Sequence, residues 1–251
     1  MRSHWGYSIR NYFASRATDT YIVPPLYTIV GAVGMASSAR KGCHAENSTD
    51  SSRAKEFVSH VKYAAFSFDY KPIKFTTMIR FSTSIYWLTT KDIDDITEGK
   101  SIPGLFNPIQ FGLNSYFNGI IRMLILTDLD KADLYSIIRL GSKESIVSVK
   151  SVEEVKSFKK ERNKRITNVT FSFNKDLIKS VVGSFYVDII PSFSESLSEI
   201  YYSYRLPQTP KDINTEVVLV PNPVVAVEPL NEVCVFETSF GRAIGPGEIC
   251  G

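Results

Sequence analysis

Residues 21–41, YIVPPLYTIVGAVGMASSARK, constrain the fold more than any other part of the chain. Proline fixes φ at about −65° and suits the first turn of a helix, so we predict a helix from Pro25 to Lys41. Apolar residues recur beyond the prolines at helical spacing on one face: Leu26, Ile29, Val30 and Val33. Because no Ser, Thr or Asp stands directly before the prolines as an N-cap, another group must hold the turn before Pro24.

Composition limits the classes of protein to consider. A chain of 251 residues suits one large or two small domains, and 43% apolar with 22% charged residues is typical of a soluble globular protein. The net charge of +3 is only mildly basic, so a nucleic-acid site would have to be a local basic groove. Residues 22–37 are too short and contain two prolines, which excludes a membrane span. No apolar secretory signal precedes them.

The cysteines bear on the compartment. Cys43, Cys234 and Cys250 are widely scattered and form no CxxC pair, so the sequence predicts neither a zinc site nor a disulfide framework. We therefore expect the protein to be in a reducing cytoplasm. We expect it to bind no metal, no cofactor, no membrane and no small-molecule substrate.

The pattern of the first 150 residues predicts four strands and two helices. Aromatic residues predict strands at 4–10 and 63–68, and the apolar run 120–126 predicts a buried central strand. Asp130 can cap a second helix over 131–140, and the last strand begins at Ile146. This βαββαβ order is that of the α+β ferredoxin-like (RRM-like) fold, which we assign to residues 1–150.

Two further regions complete the domain organisation. Residues 71–113 carry a long run of β-branched and aromatic residues and then turn residues, which predicts an inserted β-arm; the alternative is an irregular lid or core excursion. Residues 151–251 are predicted to form a β-rich extension packed on the first domain. Within it, 152–165 are helical in composition and basic, and the glycines at 241–247 suggest a flexible tail loop.

The N-terminal string resembles a known family. His-Trp-Gly-Tyr-Ser at residues 4–8, a loop carrying Arg10, Arg16 and Thr18, and Val-Pro-Pro-Leu-Tyr-Thr-Ile-Val-Gly-Ala at 23–32 are similar to the signature of the CRISPR-associated protein 5 family. The first run is most similar to the archaeal type I-A branch. A second resemblance is Leu-Gly-Ser-Lys-Glu-Ser at 140–145.

The resemblance carries specific implications. It implies a RAMP-superfamily subunit of a type I Cascade complex that binds the 5′ handle of crRNA and caps the backbone filament in antiviral defence. The implied partners are crRNA, the Cascade backbone subunit and the large subunit. It also implies that the arm within 71–113 is a β-hairpin thumb.

Cations and flat side chains define the predicted RNA site. Single-stranded RNA needs cations for its phosphates and aromatic rings for its bases. The N-terminal loop, the arm and the Gly141 turn supply both types: Arg10, Tyr12, Phe13, Arg16, Lys74, Arg80 and Lys143. Backbone N–H groups of the glycine turn suit phosphate, although Gly141 is equally explained as the C′ residue of the second helix.

Catalysis is the main alternative. A metal-free ribonuclease needs a base near the 2′-hydroxyl, and His4 is the conceivable one. Reactive members of the resembled family carry a Lys-His pair, which this chain lacks. We therefore predict binding without catalytic residues. A metal-independent crRNA-processing endoribonuclease and a pure assembly module remain as alternatives.

Overall fold

A computed structural model describes residues 1–9, 20–40, 56–70, 72–81, 94, 97–98, 109–117, 119–141, 145–155, 157–192 and 215–250, with only the backbone at 77–81 and 109–117. The architecture is mixed α+β, rich in strands and poor in helices. The helices are α1 Leu26–Arg40 and α2 Lys131–Tyr135. The strands are β1 Arg2–Ser3, β2 Val61–Phe68, β3 Ile73–Phe81, β4 Ile109–Phe117, β5 Ile121–Thr127, β6 Val147–Ser148, β7 Ser157–Glu161, β8 Ile166–Val169, β9 Phe173–Asn174, β10 Ile178–Pro191, β11 Thr215–Pro229, β12 Val233–Thr238 and β13 Gly241–Pro246.

The predicted order of strands and helices is present on either side of the β3–β4 pair. Among the described residues β1 pairs with β6 and β2 pairs with β5, each antiparallel and each as a two-stranded unit. An isolated antiparallel bridge joins Arg2 to Ile120. The first strand was predicted at residues 4–10, of which 4–9 are described, but it lies at Arg2–Ser3. Residues 4–6 turn instead, and the Gly6 N–H donates to Ser3 Oγ at 2.9 Å.

The predicted helix is confirmed as α1. Its buried face includes Ile29, Val30 and Val33, all 0% exposed. The turn before the prolines is held from outside the helix: the Val23 N–H donates to Asp188 Oδ2 of β10 at 2.9 Å, and the Tyr7 hydroxyl donates to the Ile22 carbonyl. The C-terminal half of the chain therefore holds the turn that starts α1.

Strand alternation sorts β2 and β5 into two faces. Ala64, Phe66 and Phe68 of β2 pack with α1 in the main core, as do Met123 and Ile125 of β5. The other face carries Ala65 and Leu124, which pack against the C-terminal sheet. The β2–β5 pair is thus a layer between the helices and the C-terminal half.

The C-terminal half forms a seven-stranded sheet, with the main path β10-β11-β8-β13-β12-β7 and β9 paired to β11. Hydrogen bonds tie this half to β2. Tyr63 Oη donates to the Ile244 carbonyl at 2.6 Å, the Phe66 N–H donates to Ser172 Oγ at 2.9 Å, and the Ser172 N–H donates to the Phe66 carbonyl at 2.7 Å. The extension is therefore β-rich and packed on the first half, whereas the domain boundary near 150 stays a prediction.

Four local predictions are wrong in this half or beside it. The segment 152–165 is not helical, because 157–161 form edge strand β7. Residues 241–246 form strand β13 rather than a flexible loop. Cys234 and Cys250 form a disulfide, 5.4 Å between Cα atoms, that ties β12 to the final 3₁₀ turn. Helix α2 ends at Tyr135, and the Asp130 side chain makes no capping bond.

The arm is an antiparallel hairpin in its described part. β3 and β4 pair continuously from Ile73 opposite Phe117 to Phe81 opposite Ile109. Ile73 and Phe75 on β3 are exposed. Among described residues no helix is both long and apolar enough to cross a membrane.

Candidate functional site: a cleft between β5 and the C-terminal sheet

A cleft of about 1440 Å³ lies between β5 and the C-terminal sheet. One wall is β5 itself, and the others come from β1, from residues 149–155 and from the β12–β13 turn. The cleft forms because the C-terminal half covers only part of the face of β5 that carries Leu124. Its walls combine apolar surface with charged groups at the rim.

Arg122 is the cation held most firmly in this cleft. Strand alternation places it on the same face of β5 as Leu124, toward the C-terminal sheet. Its guanidinium forms an ion pair with Asp69 and lies 4.3 Å from the centre of the Phe240 ring. These two contacts fix the guanidinium plane over an aromatic face, an arrangement that favours stacking and charge together.

Phe240 is presented by a tightly bonded turn. Its N–H donates to Thr238 Oγ1 at 3.1 Å, and its carbonyl accepts from Thr170 Oγ1 at 2.9 Å. Gly241 has φ +119°, and a Cβ there would lie 2.5 Å from Thr170 Oγ1. The turn therefore needs glycine, and it leaves the Phe240 ring 47% exposed in the cleft wall.

A second aromatic group lines the opposite part of the cleft. Phe158 on β7 is 57% exposed and lies 6.1 Å, between ring centres, from Phe236. Phe236 in turn stacks on Tyr63 at 6.4 Å with an interplanar angle of 14°. Burial raises the pKa of Tyr63 above its ordinary value, with a further contribution from Glu216, so its hydroxyl stays protonated and bonded to Ile244. The buried pair supports the exposed Phe158 ring.

Charges of both signs surround these rings. Arg2 and Lys150 line the cleft, and neither is ion-paired to another described residue. Lys131 pairs with Glu154 at 2.8 Å, and this bond lowers the pKa of the Glu154 carboxyl. His4 also lines the cleft, with its Nε2 3.2 Å from Ser148 Oγ. The described residues contain no His, Cys, Asp and Glu cluster that could hold a metal.

The lining of the cleft contains both exposed aromatic rings and cations without a described ion-pair partner, the two kinds of group that single-stranded nucleic acid requires. Phe158 and Phe240 offer stacking surfaces, and Arg2 and Lys150 offer charge to phosphates. The arrangement can bind an anionic ligand that has flat apolar parts.

The predicted RNA site is only partly described. Arg10, Tyr12, Phe13, Arg16 and Lys143 lie outside the described residues. Lys74 is exposed on β3, six residues from Arg80, whose side chain is not described. Lys74 is not part of the cleft lining.

The described residues do show how two parts of that predicted site are anchored. Gly141 has φ +98°, and a Cβ there would lie 2.5 Å from the Ser8 carbonyl oxygen. The Ser8 N–H donates to Ser145 Oγ at 2.9 Å. The segment that leads to Arg10 therefore contacts the turn that leads to Lys143. Gly141 is not the C′ residue of α2, which ends at Tyr135.

The cleft residues were missed by the sequence argument. Phe158 lay in a segment expected to be helical, and Phe240 preceded glycines expected to be a flexible loop. Phe158 is followed by four charged residues, so no apolar–polar alternation indicated a strand there. Nothing local indicated that Arg122 and Phe240, far apart in sequence, come together.

Comparisons with known proteins add a likeness in structure. No protein-family model and no curated protein sequence matches the chain. Among solved structures, the chain is similar to a CRISPR protein from Archaeoglobus fulgidus, with a TM-score of 0.56 and 18% sequence identity. The likeness covers 98% of this chain and 96% of that one. The two proteins share a fold. At this identity the likeness extends to the fold alone.

Proposed function

We propose that this protein is a non-catalytic RNA-binding subunit of a CRISPR type I effector complex, similar to type I-A Cascade. In this role it binds the 5′ handle of crRNA and caps the filament of backbone subunits, as a RAMP-type member of the CRISPR-associated protein 5 family. The backbone subunit and the large subunit would be its protein partners, and the cytoplasm its compartment, although the Cys234–Cys250 disulfide removes the argument from unpaired cysteines.

The observation that carries the proposal is the full-length likeness to a CRISPR protein. It is independent of the N-terminal string, because 18% identity over the whole chain does not depend on one motif. Sequence resemblance and fold likeness therefore support the same class of role. The cleft adds suitable chemistry, since its exposed rings and unpaired cations match single-stranded RNA.

The first experiment measures binding of handle RNA by fluorescence anisotropy. Phe158→Ala and Phe240→Ala are each expected to weaken binding about tenfold, because one base–aromatic stack contributes about 1–3 kcal/mol. Tyr70→Ala is the matched control, since Tyr70 is exposed but does not line the cleft. Equal affinity of both Phe variants and wild type would show that the cleft is not the RNA site.

The second experiment addresses the N-terminal cations. The double variant Arg10→Ala and Arg16→Ala is expected to lower the slope of log K against log salt by about 1–2, since each lost phosphate contact removes a released counterion. An unchanged slope and affinity would exclude these two arginines from the handle site.

One observation favours the endoribonuclease as a second candidate. His4 lies in the cleft beside Ser148, where a bound 2′-hydroxyl could meet an imidazole. Purified protein is incubated with repeat RNA and EDTA. The main proposal expects intact RNA. A single cleavage near the 3′ side of the repeat that is lost in His4→Ala would establish the enzyme instead.

A further inference from the structure

The charge of this protein is concentrated in one short segment. From Ser157 to Ile166 the sequence is SFKKERNKRI, with five basic residues and one acidic residue. This local charge of +4 exceeds the total of +3, so all other residues together carry −1. A mildly basic chain therefore contains one strongly basic site.

The structure divides these cations into two groups. Lys159 pairs with Glu161 at 2.9 Å and Lys160 with Glu232 at 3.4 Å, so both are engaged along β7. Arg162, Lys164 and Arg165 are exposed and form no ion pair with any described residue. Residues 162–165, which we name the cationic connection, thus present free positive charge to solvent.

The backbone holds the cationic connection in place. It joins the end of β7 to the start of β8, and strands β12 and β13 lie between these two in the sheet. At one end Glu161 pairs with Val233, and at the other end Ile166 pairs with Val227. Ile166 is 4% exposed and belongs to the core. Asn163 adopts φ 56°, a conformation that Asn tolerates better than most residues.

The cationic connection continues from the cleft. β7 starts beside the cleft wall at Phe158 and leads directly to Arg162, four residues and about 13 Å further along the strand. Phe158 and Lys160 share the strand face that looks toward the first half of the chain. A ligand that stacks on Phe158 and leaves along β7 meets the three free cations next.

The composition of the connection indicates what it binds. It contains no apolar side chain, which argues against insertion into a lipid surface, and no aromatic ring to stack on a base. Clustered point charges and guanidinium groups are suited to phosphate oxygens.

We propose that the cationic connection is a second nucleic-acid contact, which binds phosphates of the RNA strand after that strand leaves the cleft. This inference rests on the proposed RNA-binding function and extends it to a longer binding site. The contact is independent of base sequence, because phosphates carry no sequence information.

The test compares RNA probes of about 4 and about 16 nucleotides, lengths that span the range of single-strand sites. The triple variant Arg162→Ala, Lys164→Ala and Arg165→Ala is expected to bind the long RNA at least tenfold more weakly. Its log K against log salt slope should fall by about 2, since each single-strand contact contributes about 0.7. Binding of the short RNA should stay unchanged.

A charge-matched control removes three other exposed lysines that do not line the cleft: Lys62, Lys175 and Lys179. This control should bind both probes as wild type does. The double variant Arg162→Lys and Arg165→Lys should keep most of the affinity, because it keeps the charge. Retained thermal melts show that each variant is folded.

The outcomes separate the two proposals. Suppose that wild type binds the short RNA and that the triple alanine variant binds the long RNA as tightly as wild type does. The second contact is then wrong, and the RNA-binding proposal stands. An equal loss of affinity for the long RNA in the charge-matched control also overturns the second contact. If wild type binds neither RNA, the proposed function itself fails.

Discussion

At the scale of single residues, Gly119 and Gly141 both have positive φ but differ in the space that a Cβ would find. A comparison of their alanine variants therefore distinguishes the cost of the backbone conformation from the cost of a steric collision. Gly119 has φ +64°, and a Cβ there would have no atom within 4 Å, whereas Gly141 has φ +98° and would bring Cβ to 2.5 Å from the Ser8 oxygen. Both substitutions to alanine force an L residue into the left-handed region. Only one of them also collides with backbone.

Gly141→Ala is therefore expected to destabilise more than Gly119→Ala. The shared conformational cost is about 1–2 kcal/mol, and the collision with Ser8 adds to it at Gly141 alone. Denaturant unfolding of the two variants measures the difference. Equal free energies of unfolding would mean that the Gly141 turn does not pack on the N-terminal segment as described.

The second residue-scale prediction concerns the exposed pair His60 and Asp128. The imidazole Nδ1 lies 2.8 Å from Asp128 Oδ1, and this hydrogen bond lowers the pKa of the Asp128 carboxyl. A lowered folded-state pKa means that the pair's contribution to stability is complete above the unfolded-state pKa of Asp128. It is lost as pH falls through the lowered value.

His60→Ala should raise the pKa of Asp128 toward its ordinary value, as followed by NMR titration of its carboxyl carbon. Glu154 is the internal control, because its lowered pKa depends on Lys131 instead. A shift at Glu154 as large as that at Asp128, or no shift at Asp128, would contradict the assigned cause.

At the scale of elements, the sequence predicted the helix whose formation depends on neighbouring residues. It missed strands whose formation depends on pairing with residues distant in the chain. The α1 pattern of two prolines and an apolar stripe is self-contained, and the helix formed as predicted. Segment 152–165 has helical composition, but β12 offers its edge to Phe158 and its neighbours, and strand pairing prevails. Pro221 and Pro223 lie in β11 where its pairing with β10 shifts register between Gly183 and Phe185, a place in a sheet that tolerates proline.

The start of α1 depends on such a distant partner. Asp188 Oδ2 accepts the Val23 N–H at 2.9 Å, which holds the turn before the two prolines. Asp188→Ala leaves that donor unsatisfied and should cost about 1–3 kcal/mol in the free energy of unfolding. Asp188→Asn keeps an accepting oxygen and should cost less. An alanine variant as stable as wild type would show that another acceptor serves Val23.

The disulfide is the second element-scale case, and its existence contradicts the expectation from cysteine spacing. Cys234 and Cys250 are separated by 16 residues, and they meet because β13 returns beside β12. A loop of this length stabilises a fold by about 3 kcal/mol. Cys250→Ser should lose up to that amount. Thiol titration of unreduced, denatured wild type should find one free thiol, Cys43; three would show that the bond is absent.

At the scale of the whole molecule, the candidate site was beyond sequence reasoning for a topological reason. Its walls come from β1, β5, β7 and the β12–β13 turn, so the cleft exists only once the C-terminal sheet packs on β2 and β5. A single sequence shows which residues are cations or aromatics but not which of them meet. The resemblance supplied a class of role, and the likeness to a solved structure shows the fold without placing any residue in a site.

The hairpin β3–β4 offers the final test at this scale. Among its described side chains, Ile73 is 63% and Phe75 37% exposed, and neither belongs to the buried core clusters. Phe75 lies opposite Ser115, so deletion of residues 76–114 with a short Gly-Ser linker preserves the base of the pairing. Because a two-stranded ribbon alone is only marginally stable, its apolar residues need a partner.

If that partner is the assembled guide-RNA complex, the shortened protein should keep a cooperative melt at nearly the wild-type temperature yet fail to join the complex. Calorimetry and co-purification with crRNA and the backbone subunit measure the two properties separately. Loss of the cooperative melt would show instead that the hairpin packs on the chain's own C-terminal half. A normal melt with normal assembly would exclude both partners for the arm.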